Sequence, residues 1–369
     1  MTYGRLLFAA TLILHALSVV AQEAPKVPQT NLVSFFEKCK AGGSVTVAYI
    51  GGSITAQNGW RPFTTKWLQE QFKDVEIKEV NAAIGGTGSM LGVFRLQKHV
   101  LQYDPDLLFV EFAVNDAGMP DDSVLATMEG IVRQAWGREK KPCIVFTFTT
   151  AHKLETPTHR HQAVADAYGI PTVDFQKAIR AVVDPGFIDW QILAADRVHP
   201  NEWGHAIYAA TLATFLQRQR ELTEAVPPPS TLPAAVFSDE YTTARLVPVT
   251  ENVPKGWTRV DPAGYFLDGS IMATEVGQTA EFRFSGTMVG LYYEIRKDAG
   301  IVACEIDGKL VQELDTSWGP TYRFNRQNAS IIASGLEKGE HTLRITVTDK
   351  KHELSEGHEF HLGYLMVAG

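Results

Sequence analysis

Between residues 44 and 215, apolar runs of strand length alternate with helix-like stretches, and this alternation restricts the fold more than any other feature. The first apolar run, residues 45–50, ends at two glycines, and a helix-like stretch follows at residues 61–72. Later strand-like runs lie at 76–82, 107–112, 142–148 and 171–174, and later helix-like stretches at 89–101, 121–136, 156–168 and 203–216. Strands that alternate with helices in this way are typical of a parallel sheet with helices on both faces. The sequence therefore predicts an α/β domain.

The pattern changes after a proline-rich stretch at residues 224–234, which is typical of a semi-rigid linker. Beyond it, short alternating runs such as residues 341–347 dominate, and Asp307-Gly308 between two such runs is a hairpin signal. We therefore predict three parts: an α/β domain over residues 22–223, the linker, and an antiparallel, jelly-roll-like β-sandwich over residues 235–369.

The first 21 residues have the pattern of a secretory signal peptide. Arg5 precedes an apolar run over residues 6–20, and Ala21 provides a cleavage site before Gln22. A transmembrane anchor is the alternative, but the apolar run is 15 residues long, shorter than the roughly 20 that span a bilayer. The sequence predicts a cleaved signal at residues 1–21, a secreted or periplasmic protein, and no membrane anchor.

Charge and cysteine content exclude several function classes. The net charge of −8 disfavours nucleic acid or an anionic membrane surface as the partner. The three cysteines form no disulfide framework and no zinc-binding spacing. Cys143 lies in an apolar run and is expected to be a buried thiol, and a Cys39–Cys304 disulfide is an alternative for the other two. The composition does not define an oligomeric state.

Three polar or glycine-rich motifs follow the first three strand-like runs. Ser53 comes after Gly51-Gly52, Gly85-Gly86 follows the second run, and Asn115-Asp116 follows the third. The carboxyl ends of parallel strands meet at the ligand-binding edge of an open α/β sheet. A serine hydroxyl, glycine N–H groups and a side-chain amide there suit a nucleophile and an oxyanion hole. The alternatives are a helix-capping serine, a phosphate-binding loop and ordinary turns.

A fourth motif, Asp196-Arg197-Val198-His199-Pro200, lies far downstream. His199 can act as the general base for Ser53, and Asp196, three residues earlier, can accept a hydrogen bond from the other ring nitrogen. An Asp-x-x-His pair is alternatively a structural pair or part of a metal site. The four motifs together supply the groups that serine-based acyl transfer needs.

The order Gly-x-Ser, Gly, Asn-Asp and Asp-x-x-His-Pro resembles the SGNH (GDSL-like) hydrolase superfamily over residues 43–216. The resemblance implies a flavodoxin-like three-layer α/β/α fold, a Ser53–His199–Asp196 triad, and neither metal nor other cofactor. It also implies an oxyanion hole formed by the N–H groups of Ser53 and Gly86 and the side chain of Asn115. Gly86 rather than Gly85 matches the family glycine because residues 81–84 precede it in the usual register.

Two positions depart from the family pattern. The aspartate that often precedes the nucleophile is Gly52 here, and the glycine usually found two positions before the asparagine is Ala113. Neither change removes a catalytic atom, but both leave the subfamily open.

Tryptophans near the motifs suggest a sugar substrate. Trp60, Trp190 and Trp203 lie close in sequence to the catalytic motifs, and tryptophan faces stack on sugar rings, although all three could instead belong to the core. The β-sandwich resembles accessory modules of carbohydrate-active enzymes, with Trp257, Trp318 and Tyr322 as candidates for a glycan surface. A module that only supports the first domain is the alternative.

The sequence thus predicts a secreted carbohydrate O-acetylesterase whose partner is an acetylated carbohydrate. One alternative is an esterase for short-chain aryl or lipid esters, and another is a glycan-binding protein with an inert SGNH domain. Transfer of acetyl groups between glycans would use the same residues. Asn328-Ala329-Ser330 matches an N-glycosylation sequon, which carries no weight without a known source.

Overall fold

The computed structural model describes residues 28–152, 156–318 and 324–369. The predicted signal at residues 1–21 and the candidate Tyr322 lie outside the described residues. The chain divides into two compact units, the first ending at Asp239 and the second beginning at Glu240. In the described part of the chain, no helix is both long enough and apolar enough to cross a membrane.

The first unit has five strands and nine α-helices among its described residues. The strands are β1 Gly43–Gly51, β2 Val75–Ala83, β3 Leu107–Glu111, β4 Cys143–Phe148 and β5 Thr172–Asp174. The helices are α1 Val33–Ala41, α2 Ser53–Ala56, α3 Trp60–Gln71, α4 Ser89–His99, α5 Asp121–Trp136, α6 His159–Tyr168, α7 Phe175–Val183, α8 Trp190–Leu193 and α9 Glu202–Glu221. A 3-10 turn at Leu101–Tyr103 follows α4.

All five strands are parallel, in the order β2-β1-β3-β4-β5. This order is that of flavodoxin-like sheets and confirms the predicted α/β class. The central strand β3 is buried along its whole length, because helices cover both faces of a parallel sheet and leave little room for polar side chains. The parallel arrangement brings the ends of β1, β2 and β3 to one edge.

The sequence analysis did not predict helices α1 and α7, nor the four-residue helices α2 and α8. Helix α1 places Phe35 and Phe36 in the core of the first unit. Helix α7 begins directly after β5, and the Asp174 side chain at its N-cap accepts from the Lys177 N–H at 2.7 Å. No loop residues separate the strand from the helix. The sequence therefore lacks the glycine or proline that often marks such a boundary.

The proline-rich stretch is attached to the first unit. Lys141 Nζ donates to the Pro229 and Ser230 carbonyls at 2.6 and 2.7 Å, and Arg133 donates to the Pro233 carbonyl at 2.8 Å. The following backbone is held by Glu129, a buried residue of α5. These contacts explain why the first unit continues to Asp239, beyond the predicted start of the sandwich at residue 235.

The second unit contains two antiparallel sheets, which confirms the predicted all-β class. The strands are β6 Arg245–Pro248, β7 Thr258–Val260, β8 Ser270–Ala273, β9 Thr279–Gly286, β10 Met288–Ile295, β11 Ile301–Ile306, β12 Lys309–Asp315, β13 Arg326–Ala333, β14 Gly339–Val347 and β15 Phe360–Ala368. One sheet has the order β13-β10-β15-β8-β7 with β6 paired to β15, and the other has the order β12-β11-β14-β9. Residues of both sheets share one apolar core, as a sandwich requires.

The predicted hairpin lies between β11 and β12. Asp307 and Gly308 join β11 to β12 with φ values of 50° and 77°, as a tight hairpin turn demands.

Cys39, Cys143 and Cys304 are buried free thiols. Cys143 is therefore as expected, whereas the alternative of a Cys39–Cys304 disulfide is wrong. Burial raises the pKa of Cys143 to about 11, so this thiol is protonated and unreactive at neutral pH.

Candidate active site

The predicted motifs meet at the carboxyl edge of the parallel sheet. Ser53 is the first residue of α2, directly after β1 and Gly52. Gly85 lies beside it after β2, since a Cβ built on Gly85 would come within 3.6 Å of Ser53 Cβ. His199 reaches the same place from the loop before α9. Residues far apart in sequence are therefore neighbours around one hydroxyl group.

Ser53, His199 and Asp196 form a continuous hydrogen-bonded chain. Ser53 Oγ lies 2.8 Å from His199 Nε2, and His199 Nδ1 lies 2.8 Å from Asp196 Oδ2. A carboxylate can only accept, so Nδ1 carries the proton and Nε2 is left to accept from the serine hydroxyl. This is the tautomer that a general base for Ser53 requires.

The aspartate is held ionised by its own loop. Asp196 Oδ1 accepts from the backbone N–H groups of Val198 and His199, both at 2.7 Å. Burial alone would raise the pKa of Asp196, but these N–H groups and the His199 ring outweigh it and hold the pKa at about 2. The carboxylate therefore keeps its charge throughout the neutral range, even though 56% of its side chain is exposed.

Trp190 supports this loop from beneath rather than facing solvent. Its indole Nε1 donates to the Asp196 carbonyl at 2.8 Å, and its ring stacks on His152 with centroids 5.4 Å apart. The His152 N–H donates to the Arg197 carbonyl at 2.8 Å. Because Trp190 is buried, the expectation that it stacks on a sugar is corrected: it positions the loop that carries Asp196 and His199.

Trp60 also belongs to the core and not to a sugar-binding surface. It is fully buried, and its ring makes edge contacts with Tyr49, Phe109 and Phe175. Helix α3 directs this side chain into the core, although it follows Ser53 closely in sequence. Trp203 differs from both, because 57% of it is exposed at the first turn of α9.

A buried glutamate lies under the nucleophile and was not identified from sequence. Glu111, the last residue of β3, accepts from Thr55 Oγ1 at 2.8 Å and from Thr149 Oγ1 at 2.6 Å. It also accepts from the Gly52 N–H, and burial raises its pKa. Glu111 thereby ties the start of α2, which carries Ser53, to β3 and to the residue that follows β4.

The side chain of Asn115 packs against Gly52. A Cβ on Gly52 would come within 1.9 Å of Asn115 Oδ1, so no other residue fits at position 52 unless Asn115 moves. This contact holds the Asn115 amide next to the Gly52–Ser53 peptide. Gly86 lies at φ 73°, a conformation that glycine adopts without strain.

A second buried pair joins the glycine loop to the Asn115 loop. Asp116 accepts from the Ser89 N–H at 2.8 Å and pairs with His161 Nε2 at 3.0 Å. Both side chains of the pair are almost completely buried. Asn115 and Asp116 lie in a turn, the alternative given for this motif, and the Asp116 side chain also binds the N-terminus of α4 and a residue of α6. The two segments expected to supply oxyanion donors are therefore fixed to each other.

His205 was also missed from sequence. Its Nδ1 accepts from the Trp60 N–H at 3.3 Å, and its Nε2 lies 3.2 Å from Gln57 Oε1. Burial, and then the charge of His199, lower the pKa of His205 to about 4. The ring is therefore neutral at pH 7 and donates from Nε2 to Gln57. Within the described residues, no three His, Cys, Asp or Glu side chains converge as a metal site would need.

The chain resembles a known esterase over most of its length. A two-domain esterase active on acetylated mannans, also crystallised with mannopentaose, has a TM-score of 0.82 with the ligand and 0.83 without. In both cases the identity is 23%, and the match covers 93% of this chain and 96% of that chain. The likeness shows that the two-domain fold is shared.

A sequence relative matches a much smaller part of the chain. An "A type blood alpha-D-galactosamine galactosaminidase" from Flavonifractor plautii is 29% identical over 117 residues. The match takes in 28% of this chain and spans only 10% of that protein.

Residues 42–207 match the GDSL-like Lipase/Acylhydrolase family. This range contains all of the motifs placed at the sheet edge, from Ser53 to His199. The part of the first unit that carries these motifs is therefore similar to the carboxylic ester hydrolases of the GDSL-like lipase/acylhydrolase family.

Proposed function

We propose that this protein is a carbohydrate O-acetylesterase that uses Ser53 as its nucleophile. The observation that carries the proposal is the Ser53–His199–Asp196 chain, with both links at 2.8 Å. The substrate class is supported by the likeness, over 93% of this chain, to an esterase active on acetylated mannans. An acetylated mannan or a related glycan is therefore the first substrate to test.

In the first step, Ser53 Oγ bonds to the acetyl carbonyl carbon while His199 Nε2 takes the hydroxyl proton. The carbonyl electron pair moves onto its oxygen, and the N–H groups of Ser53 and Gly86 and the Asn115 amide stabilise that charge. The tetrahedral species then breaks its bond to the sugar oxygen, and His199 gives its proton to that oxygen. The products of this step are the deacetylated sugar and acetyl-Ser53.

In the second step, a water molecule replaces the sugar. His199 takes a proton from the water as the water oxygen bonds to the acetyl carbon. Collapse of this second tetrahedral species returns the proton to Ser53 Oγ and releases acetate. Asp196 stays ionised throughout and stabilises the imidazolium that forms in each step.

We also propose that the protein is exported by its predicted signal at residues 1–21 and acts outside the cytoplasm. Polysaccharide substrates are extracellular, so export and the proposed substrate agree. Mass spectrometry of the mature N-terminus checks this directly, with Gln22 as the expected first residue.

The test of the function is acetate release from acetylated glucomannan, acetylxylan and acetylated pectin, with 4-nitrophenyl acetate and longer acyl esters in parallel. We expect acetate from a mannan, with loss of nearly all activity in Ser53→Ala and a loss of about 10⁴ in kcat in Asp196→Asn. Activity on aryl or lipid esters alone would overturn the sugar assignment. Full activity of Ser53→Ala would overturn the nucleophile.

A further inference from the structure

A recess of about 280 Å³ lies beside the catalytic residues. Residues of two segments line it: Gln57, Asn58 and Phe63 on one side, and Asn201, Glu202 and His205 on the other, with Pro200 also contributing. Hereafter it is called the Gln57–Glu202 recess. Its first segment leads into α3, and its second leads into α9.

Both walls of the recess continue directly from the catalytic residues. The Gln57 N–H donates to the Ser53 carbonyl at 2.9 Å, so Gln57 closes the turn of helix that Ser53 begins. Pro200 follows His199 in the chain. Of the expected oxyanion donors, Gly86 and Asn115 follow β2 and β3, whereas the Ser53 N–H lies in the same turn as Gln57. In the proposed reaction the acetyl oxygen faces the oxyanion donors, which leaves the recess for the group that His199 protonates.

The polar groups of the recess are available to a ligand. Gln57 Oε1 accepts from the neutral His205 ring, which fixes the orientation of the amide and leaves its NH₂ as a donor. Asn58 and Glu202 are exposed, and neither side chain has a hydrogen-bond partner among the described residues. Asn201 is not available, because its Oδ1 accepts from the N–H groups of Trp203 and Gly204. Amide donors and a carboxylate acceptor suit sugar hydroxyl groups.

Phe63 gives the recess an exposed aromatic face. The residue is 48% exposed, so part of its ring surface is open to a ligand. Phe63 also lines a second groove of about 370 Å³ that runs between α3 and α9 and includes Trp67. The ring therefore lies where the recess and the groove meet, and a chain of sugars could pass from one to the other.

We infer that the Gln57–Glu202 recess binds the sugar residue that carries the acetyl group, with Phe63 against the sugar face and Gln57, Asn58 and Glu202 on its hydroxyls. The inference rests on the proposed function and names its leaving-group site. The α3–α9 groove then receives the next residues of the glycan.

The test compares Phe63→Ala and Glu202→Gln with the wild type on two substrates, an acetylated manno-oligosaccharide and 4-nitrophenyl acetate. We expect the loss in kcat/KM on the oligosaccharide to exceed any loss on the aryl ester by about tenfold in each variant. Phe63→Tyr keeps an aromatic face and should recover most of the loss. Tyr103→Ala is the matched control: Tyr103 is also 48% exposed but lies before β3, at the opposite edge of the sheet.

Each outcome bears on a different claim. Equal losses on both substrates, or no loss in Phe63→Ala, would overturn the recess as the sugar site while leaving the esterase intact. A wild type that hydrolyses the aryl ester through Ser53 but releases no acetate from any glycan would overturn the proposed substrate, and the sugar site with it. Unchanged melting temperatures show that the variants are folded.

Discussion

At the residue scale, the environment of each histidine determines what it can do. His199 is at the exposed edge of the sheet, with a carboxylate on one nitrogen and a serine on the other. His205 lies nearby but is buried between Trp60 and Gln57, and its pKa is lowered to about 4. One ring is placed to exchange protons, and the other is placed to stay neutral and hold the recess in shape.

The neutral state of His205 predicts a pH dependence of stability. Since the pKa is about 4 in the folded chain and 6.5 in the reference state, the unfolded chain binds more protons between these two pH values. The free energy of unfolding of the first unit should therefore fall as the pH drops from about 6.5 to 4, by about 3 kcal/mol from this group. Above pH 6.5 the His205 ring is neutral in both states, so it adds no pH dependence to the free energy of unfolding.

The measurement is urea unfolding of the wild type and His205→Gln at pH 7.5 and pH 4.5. Glutamine can still accept from the Trp60 N–H and donate to Gln57, but it does not titrate. The variant should lose less stability between the two pH values than the wild type. His159→Gln, whose side chain is 71% exposed, should behave as the wild type does. An equal loss in wild type and His205→Gln would contradict the assignment.

At the element scale, Glu129 of α5 fastens the end of the first unit. Its carboxylate accepts from three successive backbone N–H groups, those of Val236, Phe237 and Ser238, at 2.6, 2.8 and 2.6 Å. It also accepts from the Tyr168 hydroxyl at 2.6 Å. A buried carboxylate needs several donors of this kind to offset the loss of hydration. A segment without regular secondary structure is thereby fixed to a helix.

This contact predicts a large effect of a single substitution. Glu129→Ala leaves three N–H groups without their acceptor and should lower the free energy of unfolding of the first unit by about 3 kcal/mol. It should also expose residues 236–238 to proteolysis. Urea unfolding and limited proteolysis followed by mass spectrometry check both points. Glu70→Ala, on the exposed face of α3, should change stability by about 0.5 kcal/mol or less, and an equal effect of the two substitutions would contradict the fastening role.

Elements marked by local sequence signals were predictable, and those made by distant contacts were not. Glycines end β1, and alternation marks the strands of the second unit, so the strand positions and the place of Ser53 after β1 followed from the sequence. The flavodoxin-like fold was implied by the family resemblance instead. Glu111 and Asp116 were missed because their partners, such as Thr149 and His161, lie about forty residues away in the chain. Trp60 could not be assigned to the core rather than to a sugar site, because nearness to Ser53 in sequence says nothing about the direction of its side chain.

At the scale of the whole molecule, a second serine, histidine and carboxylate lie within hydrogen-bond distance of one another, in the second unit. Ser270 Oγ lies 2.6 Å from His361 Nε2, and His361 Nδ1 lies 2.9 Å from Glu294 Oε2. By distance alone this is a second Ser–His–carboxylate chain. Its hydrogen bond to His361, together with Arg296, lowers the pKa of Glu294, so the carboxylate is ionised at neutral pH.

Placement in the fold separates the two chains of residues. Ser270 is only 1% exposed, and it begins strand β8 rather than a helix, so it has no helix N-terminus beside it. Phe266 packs its ring edge-on against His361 with centroids 5.8 Å apart. A buried hydroxyl cannot reach an ester carbonyl, whatever its partners are. The Ser270–His361–Glu294 chain is therefore expected to join β8, β15 and β10 rather than to perform catalysis.

A fluorophosphonate probe tests this distinction, because it reacts with serines that are both activated and accessible. We expect one probe per chain, attached to Ser53, with labelling lost in Ser53→Ala and unchanged in rate in Ser270→Ala. Peptide mapping of the labelled protein identifies the serine. Label on Ser270 in the folded chain would show that hydrogen-bond distances alone suffice for reactivity, and would contradict the argument that the exposed sheet edge makes Ser53 the nucleophile.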